Sequence, residues 1–114
     1  MNIQIFGSKK SNDSKKAERW FKERRIKYQY IDLQKYGMSA GEFRSVLSAV
    51  GLERLLDEKA PGAEEVKYLA YASDKEEKLL ENQRLLRTPV VRNGRKATVG
   101  YAPEIWEQWF KADK

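Results

Sequence analysis

The sequence predicts an α/β domain built on a four-stranded mixed sheet, with flanking helices and an all-helical insertion. Three observations carry that prediction. Residues 3–21 run as an apolar strand, a polar loop and an amphipathic helix, and a second apolar strand follows at 28–33, which makes a parallel βαβ unit with a right-handed crossover. Residues 39–86 are rich in helix caps and helical periodicity. Residues 90–99 form two short apolar runs about Asn93-Gly94, the strongest hairpin signal in the chain.

Each element has a local reason. The first strand ends at Gly7, and Ser11, Asn12 or Asp13 can each cap the following helix by accepting a hydrogen bond from a free first-turn N–H. Ala17, Trp20 and Phe21 then recur at i, i+3 and i+4, the spacing of a buried helix face. The second strand is rich in Tyr and Ile, and Lys35-Tyr36-Gly37 turns the chain. Ser39 with Glu42 three residues later is a capping box, Phe43, Val46, Leu47 and Val50 give an apolar stripe, and Gly51 ends the helix. Leu52, Leu55 and Leu56 add a short helical turn before Ala60-Pro61-Gly62 breaks the chain. Helices are expected over residues 63–70 and 74–85, the second capped by Asp74 with Glu77 in the box position. Pro89 opens a strand at 90–92, and residues 96–99 return antiparallel. Pro103 starts the last helix, where its missing N–H costs nothing, and Ile105, Trp106, Trp109 and Phe110 form a face suited to a core. One domain is expected over residues 1–114, with the insertion at about 39–86, because a chain of this length supports a single core.

Composition excludes several kinds of chemistry. The chain has no Cys, which rules out disulfides, thiolate metal sites and thiol redox chemistry. It also has no His, the commonest general base and metal ligand, so no metal site is expected. No run approaches the roughly 20 apolar residues of a membrane span, and the N-terminus enters a strand without an apolar signal region. A cytoplasmic protein without a membrane partner is expected.

Charge is unevenly placed. Residues 1–30 hold nine Lys or Arg against three Asp or Glu, and the remainder holds fourteen of each, so the whole net charge of +6 lies in the first thirty residues. Lys9, Lys10, Lys15, Lys16 and Arg19 crowd the opening of the first helix, an end where cations oppose the helix dipole. With the free N–H groups there, Lys10, Asn12, Asp13 and Lys15 become candidate anion-binding residues, and Arg87 a further cation. No phosphate-binding glycine motif occurs, and no RNA- or DNA-binding motif accompanies the charge, which argues against a nucleic-acid partner. A Ser11 nucleophile would need an adjacent base that a His-free loop of exposed Lys lacks, so helix capping is its better-supported role.

The order IQIFGSKKSNDSKKAERWF, YQYIDL, a helical middle, LLRTPVV and VGY resembles the thioredoxin-fold family of arsenate reductase (ArsC), Spx and their relatives, over residues 2–110. The resemblance implies a thioredoxin-like fold, with Ser11 and Ser14 at the two positions of the family's C-x-x-C, the nucleophilic and the resolving thiol. Natural drift and an introduced replacement both yield that pattern. For a Cys-containing form it implies thiol-dependent oxidoreduction of the arsenate reductase or glutaredoxin-like kind, with no bound cofactor and with glutathione or thioredoxin as reductant. The substrate would be a small oxyanion or a thiol or disulfide compound, and this chain would be redox inert. It further implies a cis Thr88-Pro89 bond facing Ser11, flanked by backbone groups that hold an extended substrate. Arsenate reductases carry an Arg directly before that Pro, where this chain has Thr88, with Arg87 one place earlier. The family's other oxyanion arginines fall near Asp57 and Tyr101, neither of which offers a guanidinium fork. A second implied function is Spx-like docking on RNA polymerase, with Gly51 near the surface such proteins present to it.

Overall fold

In the computed structural model, which describes residues 2–112, strand alternation divides the core into two layers. β1 (Ile3–Gly7) sends Ile3 and Ile5 to one face of the sheet and Phe6 to the other, since successive strand side chains point to opposite sides. β1 runs parallel to β2 (Tyr28–Asp32), with Ile5 opposite Tyr30, and antiparallel to β3 (Val90–Asn93), with Ile5 opposite Val91. β4 (Lys96–Val99) completes the hairpin, so the strand order is β2-β1-β3-β4. A mixed four-stranded sheet entered by a βαβ unit, closed by a hairpin and covered by helices on both faces is a thioredoxin-like fold.

One face carries α1 (Asn12–Glu23) and α6 (Pro103–Ala112). Ala17, Trp20 and Phe21 of α1 meet Ile3, Ile5 and Val91 of the sheet and Trp106 and Trp109 of α6. The rings meet edge-on or tilted, with Trp20 and Trp106 centroids 5.5 Å apart, and Trp106 Nε1 donates to Thr98 Oγ1 at 2.8 Å. The apolar stripe of α6 is narrower than its sequence indicates. Ile105 is 41% exposed, because a step of about 100° from Trp106 turns it off the sheet.

The other face carries α2 (Ala40–Val50), α3 (Leu52–Leu55), α4 (Ala63–Lys67), α5 (Ala72–Glu81) and a 3-10 turn at Gln83–Leu85. Phe6 and Val90 pack there against Phe43, Val46, Leu55, Leu79 and Leu85. The Ser39–Glu42 capping box forms as expected, and Gly51 ends α2 at φ 87, a conformation that favours glycine. Three helix limits differ from expectation, one of them the end of α5 at Glu81, where Asn82 breaks the helix before the separate 3-10 turn. α4 stops at Lys67, three residues early, with Ala63 and Val66 as its buried anchors. α5 starts at Ala72 behind an extended Tyr71 that makes no side-chain cap bond. Asp74 thus lies inside the first turn, where its charge favours the dipole but caps nothing.

The two ends of the α4–α5 excursion are tied together. Leu56 and Leu86 form an antiparallel bridge, with Asp57 N donating to Leu85 O and Arg87 N to Leu55 O, both at 2.8 Å. The Gln83 amide clamps the neighbouring loop, accepting from Met38 N at 2.7 Å and donating to Met38 O at 3.0 Å. This neck delivers Arg87-Thr88-Pro89 to the head of β3. No helix among the described residues is long and apolar enough to cross a membrane.

Candidate functional site

The end of β1 and the start of α1 share one small space. A Cβ on Gly7 would stand 2.9 Å from Ser14 Oγ and 3.0 Å from the Tyr30 hydroxyl, so only glycine lets the loop close this tightly. Ser8 N donates to Ser14 Oγ at 3.2 Å, Lys10 N to Ser8 Oγ at 3.3 Å and Ser11 N to Ser8 O at 3.0 Å. Of the three candidate caps Ser11 holds the position, with extended backbone and Ser14 N donating to its Oγ at 3.1 Å. Among the described residues, the amides of Asn12 and Asp13 find no protein acceptor.

Across from this loop, Ser11 Oγ donates to Thr88 O over a long 3.5 Å, and the Thr88-Pro89 bond is cis, as expected. Between them opens a cleft of about 760 Å³. Lys10, Ser11 and Asp13 line one wall, and Arg87 and Thr88 line the other. Five sequence-predicted residues are therefore brought together. The others are not: Ser14 is buried beneath the loop at 1% exposure, Pro89 is buried behind Thr88, and the side chains of Asn12 and Lys15 face solvent outside the cleft. Arg87 is also a structural residue, its Nε donating to Leu56 O at 3.0 Å. Asp57 lines the cleft, whereas Tyr101 packs edge-on against Trp106 at 5.5 Å and takes no part.

Sequence reading missed Lys59 and Arg84, which add two cations to the rim. They sit inside the helical insertion, and only the neck at Leu56 and Leu86 brings them to Ser11, so no local pattern signals them. With Lys10 and Arg87 they face the carboxylates of Asp13, Asp57 and Glu58, which leaves a rim of mixed sign with one excess positive charge. Beneath the loop, burial and then the charges of Asp32 and Glu18 push the Tyr30 hydroxyl above the usual tyrosine range, so it stays protonated. The cleft thus offers two free backbone donors near its mouth, a hydroxyl at the cap and several cations, but no thiol and no imidazole.

A thioredoxin-fold domain whose first-helix cap faces the residue before a cis proline is the class that this fold and site define. The ArsC family profile matches residues 6–109, and the chain belongs to the ArsC family. A solved ArsC-related protein from Brucella melitensis is 27% identical, with 97% of this chain and 96% of that chain covered at a TM-score of 0.66. An arsenate reductase from Vibrio cholerae is 18% identical over 95% of this chain and 97% of its own, with a TM-score of 0.81. The YffB protein is 21% identical over 93% and 96%, with a TM-score of 0.80. The last two likenesses speak to the fold alone. Among curated protein sequences, none matches this chain significantly.

Proposed function

We propose that this chain is a Cys-free form of a thiol oxidoreductase of the arsenate reductase or glutaredoxin-like kind, acting in the cytoplasm. Its cleft holds a small oxyanion or a thiol or disulfide compound without turning it over. The observation that supports this reading is Ser11 at the cap of α1, its Oγ 3.5 Å from Thr88 O; with Ser11 taken as the nucleophile position, a thiol there would face the backbone that precedes the cis proline. Helix N-termini stabilise thiolates through unpaired N–H groups and the dipole, and Lys10 in the same wall adds a cation. In a Ser11→Cys form the thiolate attacks one sulfur of a disulfide, bonds to it and expels the other as a thiolate. A second thiol, from glutathione or thioredoxin, then releases the mixed disulfide.

The test is reduction of arsenate and of a small disulfide with either reductant present. The parent chain is expected to give no turnover and Ser11→Cys to give measurable disulfide reduction; turnover by the parent, or none by the variant, would count against the reading. A second reading is Spx-like docking on RNA polymerase. It is favoured by the lack of any reactive group in the cleft and by Gly51, half-exposed at the joint of α2 and α3. Capture of purified polymerase by the parent chain separates it from the first.

A further inference from the structure

The solvent face of α1 breaks three local rules at once. Lys15, Lys16, Arg19 and Lys22 share that face, opposite the Ala17, Trp20 and Phe21 that fix the helix to the sheet. Cations in the first turns oppose the helix dipole, and Lys15 and Arg19, at i and i+4, repel each other. Just past the helix end Arg25 takes φ 57, the left-handed conformation that glycine adopts with least strain. Arg25 N donates to Lys22 O and Ile26 N to Phe21 O, both at 3.0 Å, a helix ending in which the Arg25 position is usually glycine. All five cations are exposed, so packing offsets none of these costs.

The neighbouring carboxylates do not offset them either. Glu18 accepts from the Tyr28 hydroxyl at 2.9 Å and lies 4.0 Å from Lys22. Asp13 and Glu23 of α1, and Glu104 and Glu107 of the adjacent α6, are in no ion pair among the described residues, and neither are Lys15, Lys16, Arg19 and Arg25. Residues that cost the fold stability and give it no contact point to use outside the fold.

We propose that this face of α1 docks an acidic segment of a protein partner, with Asp or Glu carboxylates set against Lys15, Lys16, Arg19 and Lys22. From Lys15 to Lys22 the row rises about 10 Å, a length that an extended chain covers in about three residues. Glu23 stands one turn beyond Arg19 on the same face. A phosphate backbone laid along the row brings a charge to that carboxylate, whereas a polypeptide can place a neutral residue there. The rings of Trp20 and Phe21 are buried, so bases find no stacking surface on the helix. The net charge of +6, all of it in residues 1–30, steers an acidic partner toward this side. The face lies across the sheet from the joint of α2 and α3 and uses no group at position 11, so it stands or falls apart from both functional readings.

Fluorescence anisotropy of the whole chain with a labelled peptide of about eight glutamates tests the proposal, since such a peptide is longer than the row. Binding is expected at about 0.1 M salt and not at about 1 M. Lys15→Gln/Arg19→Gln is expected to weaken it about five- to tenfold. Arg95→Gln/Lys96→Gln lowers the net charge equally at the exposed β3–β4 hairpin and is expected to change it less than about twofold. Because Lys15 and Arg19 oppose the dipole, their variant is also expected to unfold in urea at a midpoint no lower than the parent's. A lower midpoint would mean that these cations serve the fold, and it overturns the proposal. So do a parent that does not bind the peptide, binding that survives high salt, equal losses in the two variants, and a DNA duplex that binds more tightly than the peptide.

Discussion

Ser14 performs a task that sulfur does poorly. Its buried Oγ accepts from Ser8 N at 3.2 Å and fits within 2.9 Å of the space above Gly7, so a hydroxyl anchors the loop that carries Ser11. Ser14→Ala leaves the Ser8 N–H without this acceptor, and urea denaturation is expected to show a loss of about 1–3 kcal/mol. Unchanged stability would mean that the loop is held by its other bonds. The sequence showed three capping candidates between Ser11 and Asp13, and any of them satisfies the same local rule. Choosing Ser11 required Thr88, which is far away in sequence, and the anchoring role of Ser14 required Tyr30 and Gly7, so neither was legible from local pattern.

At the level of elements, caps with a reciprocal partner were readable and caps without one were not. Ser39 and Glu42 satisfy each other and fix the start of α2, whereas Asp74 matched the same spacing but lies within α5. The Glu42 carboxyl is held below its ordinary pKa, chiefly by the Ser39 amide and further by the Gln4 side chain, while burial pushes the other way. A carboxylate with a lowered folded pKa stabilises the fold above its unfolded value of about 4.3, and that contribution is lost as pH falls through the folded pKa. Parent and Glu42→Gln are therefore expected to differ in denaturation midpoint at pH 7, and the difference to shrink as pH falls through the folded pKa of Glu42; a difference that stays constant into strong acid would contradict this origin. The start of α1 makes its own prediction. Asp13 sits beside the free Asn12 and Asp13 amides and repels an incoming anion, so sulfate is expected to shift the amides of residues 10–14 weakly in the parent and more strongly in Asp13→Asn. Shifts no larger there than elsewhere in both proteins would mean that the cations are only a solvated face.

For the whole molecule, the sheet was legible because its periodicities are local: a βαβ unit, a helical middle and an Asn-Gly hairpin leave few arrangements of four strands. The cleft was half legible. Its Ser11 wall is one contiguous stretch of sequence, but Lys59, Arg84 and Asp57 reach the opposite wall only through the Leu56–Leu86 neck, a long-range pairing with no signature in either segment. The proposed function takes position 11 as the nucleophile position, at a helix cap whose free Asn12 and Asp13 amides suit negative charge. Alkylation of Ser11→Cys by a neutral reagent, followed across pH, tests that reading most directly. A thiol pKa clearly below the unperturbed value of about 8.5 is the predicted result, and a value at or above 8.5 would contradict the account.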